Sequence, residues 1–86
     1  SMRLPLIKHI NSFIAENDED YVNEAIAVLE HLSESTSIKD EELDVIGELL
    51  SNLYGGLEVA KMVKDGKSEK EAGSIFMKRV LGSIDQ

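Results

Sequence analysis

Residues 43–65 read LDVIGELLSNLYGGLEVAKMVKD, and this stretch decides the fold. Its apolar side chains recur at steps of three and four residues, which is the period of an α-helix. They are Leu43, Ile46, Leu50, Leu53, Leu57 and Ala60, widened by Val45, Leu49 and Val63. At 100° per residue the apolar arc covers roughly half of the helix circumference, against the ~100° stripe of an ordinary surface helix. We therefore expect one long helix that needs neighbours on more than one side.

The opposite side of this helix carries polar residues, which we expect to face water. They are Asp44, Glu48, Asn52 and Glu58. Two adjacent glycines, Gly55 and Gly56, lie in the middle of the helix, and each costs about 1 kcal/mol of helix stability relative to alanine. A kink at this point is therefore one expectation, and an unbroken helix is the other.

Three further segments show apolar stripes of helical period. The first is Leu6, Ile7, Ile10, Phe13 and Ile14, with Lys8, Asn11 and Ser12 outside it. The second is Val22, Ala25, Ile26, Leu29 and Leu32, and the last is Ala72, Ile75, Phe76, Val80 and Ile84. No alternation typical of a strand appears, so the sequence predicts an all-α, compact four-helix bundle-like domain with a long central third helix.

The ends of the first two helices carry residues typical of helix termini. Pro5 favours a start near the first helical position, because its fixed φ suits that place. We expect Asn17 to end this helix in the left-handed conformation and Asp18 to cap the next one. The second helix is expected to end in the serine-rich segment 33–37, where hydroxyl groups compete for backbone hydrogen bonds.

The third and fourth helices have similar signals. Ser37 or Asp40 is expected to cap the third helix, and Gly66 to supply the left-handed residue after its end near Asp65. Ser68 and Glu71 have the spacing of a capping box at the start of the fourth helix. Residues 1–86 are therefore expected to form a single domain, in which Met2 is the natural start and Ser1 is the remnant of a cleaved tag.

Composition excludes several classes of function. The net charge is −8, which is the sum of −10 in residues 1–60 and +2 in residues 61–86. An acidic body disfavours nucleic-acid binding, which needs Lys and Arg against phosphates, and suits a basic protein partner. The chain has no cysteine, and no apolar run approaches the ~18 residues of a membrane span. We expect a cytoplasmic protein that binds neither membrane nor nucleic acid.

Motifs for cofactors and metals are incomplete. Gly66-Lys67-Ser68 resembles the end of a phosphate-binding loop, but the required earlier glycine is Lys61. Asp18, Glu19 and Asp20 resemble a calcium loop, but its sixth position is Asn23 instead of glycine. His9 and His31 lack the Glu three residues earlier that a di-iron bundle needs, and His31 is expected to pair with Glu34 on the surface. We therefore expect no cofactor, no metal and no catalytic residue.

Two families of acidic helical domains share the size and charge of this chain but differ from it at their characteristic residues. Acyl carrier proteins place Asp before the modified serine, whereas Thr36 precedes Ser37 here. Colicin immunity proteins carry paired tyrosines followed by proline, whereas Tyr54 stands alone before Gly55. A carrier or enzyme with an unrecognised site, and an immunity-like inhibitor of a basic protein, stay open as alternative functions.

One constellation in the third helix suggests an interaction surface. Gly47, Ser51 and Gly55 are spaced four apart and form a ridge of small residues beside Tyr54 and Glu58. Small residues at this spacing let another backbone approach closely, either a second copy or another helix of the same chain. We predict a non-enzymatic protein–protein interaction domain, self-associating as a homodimer, with these five residues as its candidate site.

Four segments also resemble a known family. They are residues 4–10 (LPLIKHI), 17–20 (NDED), 39–49 (KDEELDVIGEL) and 76–84 (FMKRVLGSI). Together they resemble a family of small uncharacterised bacterial proteins, single all-helical domains of unknown function, over nearly the whole chain. The resemblance implies a helical fold and transfers no catalytic motif. It also implies an association with genes for thioredoxin- and peroxiredoxin-like proteins, and so a thioredoxin-like partner.

Overall fold

The structure is a computed structural model that describes residues 2–85, with side chains described for residues 2–82. Four helices follow one another: α1 Leu4–Glu16, α2 Asp20–Ser33, α3 Asp40–Lys64 and α4 Glu69–Asp85. The described residues contain no strand. The predicted all-α, four-helix bundle-like domain with a long third helix is therefore confirmed. Ser1, expected to be a tag remnant, lies outside the described residues.

Helix α3 is the element on which the other three pack. The buried core lies between α1, α4 and the C-terminal half of α3, and it consists of Ile7, Val59, Ala72 and Phe76. Helix α2 packs on α3 with Val22 and Ile26 buried, and α1 also contacts α4. The domain measures 43 × 34 × 17 Å along its principal axes. It is therefore thin in one direction, and much of its surface lies on two broad sides.

The boundaries of α1 differ in detail from the prediction. The helix begins at Leu4, one residue before Pro5. Asn17 follows α1 in an extended conformation (φ −134°), so the expected left-handed conformation is wrong. Its side chain instead donates to the Phe13 carbonyl oxygen at 3.1 Å, which satisfies a helix end without a left-handed residue.

Asp18, the predicted cap of α2, lies one position before the N-cap residue that the structure shows. The N-cap residue is Glu19, whose own side chain makes no capping hydrogen bond. Asp18 precedes it, and its Oδ1 accepts the Asp20 N–H at 2.9 Å. Asp18 therefore satisfies a backbone donor of the first turn, as an Asx turn does, without being the N-cap residue itself.

The start of α3 corrects the predicted cap. Neither Ser37 nor Asp40 is the N-cap residue, which is Lys39. The Glu42 Oε1 accepts the Lys39 N–H at 3.0 Å, so an acid of the first turn reaches back and satisfies the backbone. Ser37 belongs to the preceding turn, in which its N–H donates to Ser35 Oγ.

The later boundaries agree with the sequence. Helix α3 ends at Lys64, with Asp65 as its C-cap. Gly66 has φ +111°, the left-handed region in which glycine is favoured. Ser68 Oγ accepts the Glu71 N–H at 3.1 Å, which is the expected cap of α4.

Helix α3 continues without a break through Gly55 and Gly56. A Cβ at Gly55 would lie 3.0 Å from Ile7 Cδ1 and 3.1 Å from Phe76 Cζ. A Cβ at Gly56 would overlap Ile10 Cγ2. The two glycines therefore let α1 cross α3 at close range, and this packing offsets their low helix propensity.

Two asparagines expected to face water are buried. Asn52 is 1% exposed; its Oδ1 accepts the Arg3 N–H at 3.0 Å and its Nδ2 donates to the Glu48 carbonyl oxygen at 2.8 Å. Asn11 is 4% exposed, and its Nδ2 donates to the Gly56 carbonyl oxygen at 3.3 Å. The expectation fails because α1 crosses α3 on its glycine side, which hydropathy alone classifies as polar.

The wide apolar arc of α3 is only partly covered. Leu43, Val45 and Leu49 are 40%, 55% and 42% exposed, because no helix packs over this part of the N-terminal half. Ala25 and Leu32 of the predicted α2 stripe are exposed as well. In α4, Ala72 and Phe76 are buried and Ile75 and Val80 are half-buried, as expected; the Ile84 side chain lies outside the described residues.

Candidate interaction surface

The predicted ridge of small residues is divided between surface and core. Gly47 is exposed, and a Cβ there would meet nothing within 4 Å. Ser51 is half-buried. Gly55 is buried against Ile7 and Phe76 of the same chain. The close approach that the glycine spacing suggested therefore takes place inside the domain at Gly55, which offers no surface to a partner.

Tyr54 joins α3 to α2 at the surface. Its hydroxyl donates to Glu30 Oε2 at 2.8 Å, and its side chain is 47% exposed. This hydrogen bond to a carboxylate, followed by desolvation and the nearby negative charge of Glu30, raises the pKa of the Tyr54 phenol above its ordinary value. Tyr54 therefore holds its proton and its bond to α2 across the neutral pH range.

Glu58 joins α3 to α4. Its Oε2 lies 3.5 Å from Arg79 Nη1, and both side chains are more than half exposed. An ion pair this exposed contributes little free energy. Tyr54 and Glu58 are one helical turn apart and connect the central helix to its two outer neighbours, so both have partners within the chain.

Tyr54 and Glu58 line an open groove of about 1020 Å³ between α1, the start of α2 and the C-terminal half of α3. Its floor contains Ile14, Leu57 and Val63, and its rim carries acids and lysines together. Because the charges at its rim are of both signs, they define no single class of ligand.

A second candidate surface, which is apolar, lies along α2. Tyr21, Ala25, Val28 and Leu32 are spaced four, three and four residues apart, so they form one stripe on this helix. All four are exposed, Val28 by 59% and Tyr21 by 60%. No charged residue interrupts the stripe.

A second apolar stripe, partly exposed, lies next to it on α3. Val45, Leu49 and Leu53 are each four residues apart, and Leu53 lines the same groove as Tyr21 and Ala25. The short connection of residues 34–39 is typical of antiparallel neighbours, and Leu53 brings the α3 stripe to the groove at the start of the α2 stripe.

The groove shared by the two stripes has a volume of about 580 Å³ and is lined mostly by carbon. Phe13 of α1 forms its far wall and packs edge-to-face against Tyr21, with ring centroids 5.9 Å apart. We call this surface the apolar face. Its exposed large side chains are Phe13, Tyr21, Val28, Leu32, Val45 and Leu49.

The sequence pattern contained a signal for the apolar face that the prediction did not use. Ala25 and Leu32 were assigned to the core stripe of α2, although Val22 and Ile26 are the residues that become buried. Tyr21 and Val28 complete a second stripe at helical spacing with Ala25 and Leu32. A helix with two apolar stripes predicts burial on two sides, and the chain itself covers only one of them.

The ionisable side chains that the structure describes are spread over the surface. His31 Nδ1 lies 4.0 Å from Glu34 Oε1 on the surface, which confirms the predicted pair, and His9 is exposed on α1. Among the described residues no three His, Cys, Asp or Glu side chains are grouped so that they could hold a metal ion. No helix in the described part of the chain is long and apolar enough to span a membrane.

Comparisons with known proteins assign a family and no activity. Searches of the curated proteins and of the solved structures find no match. The profile of a family of unknown function, DUF6952, matches residues 2–85 and so covers nearly the whole chain. This chain is a member of the DUF6952 family.

Proposed function

We propose that the domain is a non-enzymatic protein–protein interaction module that self-associates as a homodimer through the apolar face. The observation that carries the proposal is the apolar face itself, which combines stripes from α2 and α3 with Phe13 of α1. Burying such a surface in a second copy removes it from water without changing the fold of either protomer.

The exposed area of the chain is sufficient for an interface with a second copy. The chain exposes 6081 Å² of accessible surface. A folded monomer of 9.5 kDa exposes about 5,000 Å² on average, so this domain exposes about 1,000 Å² more than its size requires. A standard interface buries roughly 800 Å² on each partner. Part of this excess follows from the thin shape of the domain, which is 17 Å across in its shortest direction, and its size is comparable with the area that one protomer contributes to a stable dimer.

The distribution of charge fits the same pairing. The protomer carries a net charge of −8, and two copies repel each other at a distance. The exposed apolar residues of α2 and α3 form stripes without a carboxylate, and Glu16 is the one acid among the residues that line the groove beside them, so few charges are desolvated when two apolar faces meet. The acidic side chains stay in water on the outer surface of the dimer, where they suit a basic protein partner in the cytoplasm.

The decisive experiment compares two matched lysine variants by size-exclusion chromatography with light scattering. Val28→Lys places a charge in the apolar face, whereas Leu81→Lys makes the same change at an exposed residue of α4. Val28 and Leu81 are 59% and 55% exposed, so neither change disturbs the core. We expect dimer mass at tens of micromolar for the wild type and Leu81→Lys, and monomer mass for Val28→Lys.

A monomeric wild type at this concentration would overturn the proposal. Equal weakening of the dimer by both variants would overturn the assignment to the apolar face. Circular dichroism of both variants confirms that helix content is retained. Leu53 is a poorer test position, because its side chain is half-buried and a charge there also disturbs the fold.

A further inference from the structure

We infer that the two copies pair with their α2 helices antiparallel, so that Leu32 of each copy enters the groove between Phe13, Tyr21 and Leu53 of the other. This inference rests on the proposed self-association and adds its register. The groove is then open in a single protomer, and Leu32 of the other copy fills it in the dimer.

The groove and the side chain that fills it lie at opposite ends of one stripe. The groove is at the start of α2, where Tyr21 and Ala25 form one wall. Leu32 lies at the end of α2, eleven residues from Tyr21, which is about 16 Å along the helix. Leu32 is 46% exposed and does not line the groove of its own chain.

A two-fold axis exchanges these two ends. Most homodimers are isologous, so the same patch on both copies meets itself. An axis that crosses α2 between Ala25 and Val28 and is perpendicular to the helix places Leu32 opposite Tyr21 of the other copy. Val28 then faces Ala25, a large residue against a small one. Each copy therefore supplies one protrusion and one recess.

The border of the stripe favours the antiparallel direction. Glu24 and His31 lie seven residues apart on the same side of α2, next to the stripe. Antiparallel pairing brings Glu24 of one copy near His31 of the other. Parallel pairing places the two Glu24 residues on opposite sides of the contact and leaves the two grooves facing each other without a side chain to fill them.

Cysteine cross-linking tests the register cleanly, because the chain has no cysteine of its own. Tyr21→Cys and Leu32→Cys are prepared separately, mixed in urea, refolded together and treated with a short bismaleimide. Both positions are exposed, so both variants are expected to fold. Mass spectrometry distinguishes the mixed covalent dimer from the two unmixed ones. We expect the mixed Tyr21→Cys/Leu32→Cys product to exceed either unmixed product at least five-fold.

The control replaces Tyr21→Cys by Leu81→Cys, which lies on α4 and is expected to give no mixed product. Dominant unmixed products would show parallel pairing and overturn the inference. The absence of any cross-linked product from protein with dimer mass would also overturn it, while the proposed self-association would stand. A monomer mass in light scattering would remove the proposed function itself, so the two failures are distinguishable.

Discussion

Gly56 of α3 lies directly against Ile10 of α1, at a distance that leaves no room for a methyl group on Gly56. Ile10 is branched at Cβ, next to its own backbone, so it has little freedom to move aside. The Gly56 carbonyl also accepts a hydrogen bond from Asn11 Nδ2. The crossing of α1 over α3 is thus fixed by the absence of a side chain at one position and a buried polar contact beside it.

Gly56→Ala should destabilise the domain by about 1–3 kcal/mol, because overpacking outweighs the gain in helix propensity. Gly47→Ala, in the same helix, should stabilise it by about 0.5–1 kcal/mol, since the added methyl group meets nothing within 4 Å. Urea unfolding followed by circular dichroism at one fixed protein concentration measures both. Stabilisation by Gly56→Ala would contradict the close crossing.

Asn52→Ala should cost about 1–3 kcal/mol of unfolding free energy, because it removes a buried amide and leaves the Arg3 N–H without this acceptor. Asn23→Ala is the control. Asn23 donates to the Glu19 carbonyl oxygen at 3.4 Å on the surface, and its removal should change stability by less than about 0.5 kcal/mol. Equal effects in the same urea experiment would mean that burial of Asn52 is not what makes its hydrogen bonds important.

Ser68→Ala should lower stability by about 1 kcal/mol, because Ser68 Oγ accepts the Glu71 N–H at the start of α4. Ser74→Ala lies inside the same helix on its exposed side, and it should be neutral or slightly stabilising because alanine has the higher helix propensity. Thermal unfolding of the two variants separates a capping effect from a general effect of replacing serine.

The Tyr54 phenol should ionise at higher pH when Glu30 is present. Tyr21→Phe leaves Tyr54 as the only tyrosine, so its absorbance can be titrated alone. In this background, Glu30→Gln should move the pKa of Tyr54 back towards its ordinary value, because the bond to a carboxylate is the main cause of the raised pKa.

The sign of the linked stability change follows from the raised pKa. The bond contributes fully below the ordinary pKa of tyrosine, and its contribution is lost as pH rises through the raised pKa of the folded state. A Tyr54 titration that is unchanged by Glu30→Gln would contradict the hydrogen bond between the two side chains.

Local signals in the sequence were sufficient to predict the helices, but they did not predict the contacts between the helices. Gly66 and Ser68 act as predicted because a left-handed residue and a side-chain cap satisfy backbone groups within a few residues along the chain. Tyr54 and Glu58 were selected because they flank a ridge of small residues. Their partners, Glu30 on α2 and Arg79 on α4, lie far away in sequence and no local pattern names them.

The sequence by itself determined four helices, their approximate ends and a third helix with too much apolar surface for one neighbour, since these depend on local periodicity and backbone capping. Only the tertiary structure decided which sides became buried. The crossing at Gly55 and Gly56 drew Asn11 and Asn52 into the core, because a helix packs where backbones approach most closely and buried amides can still be paired. The same arrangement left Val45 and Leu49 uncovered, since α1 crosses this side of α3 farther along the helix, at Asn52 and Gly56.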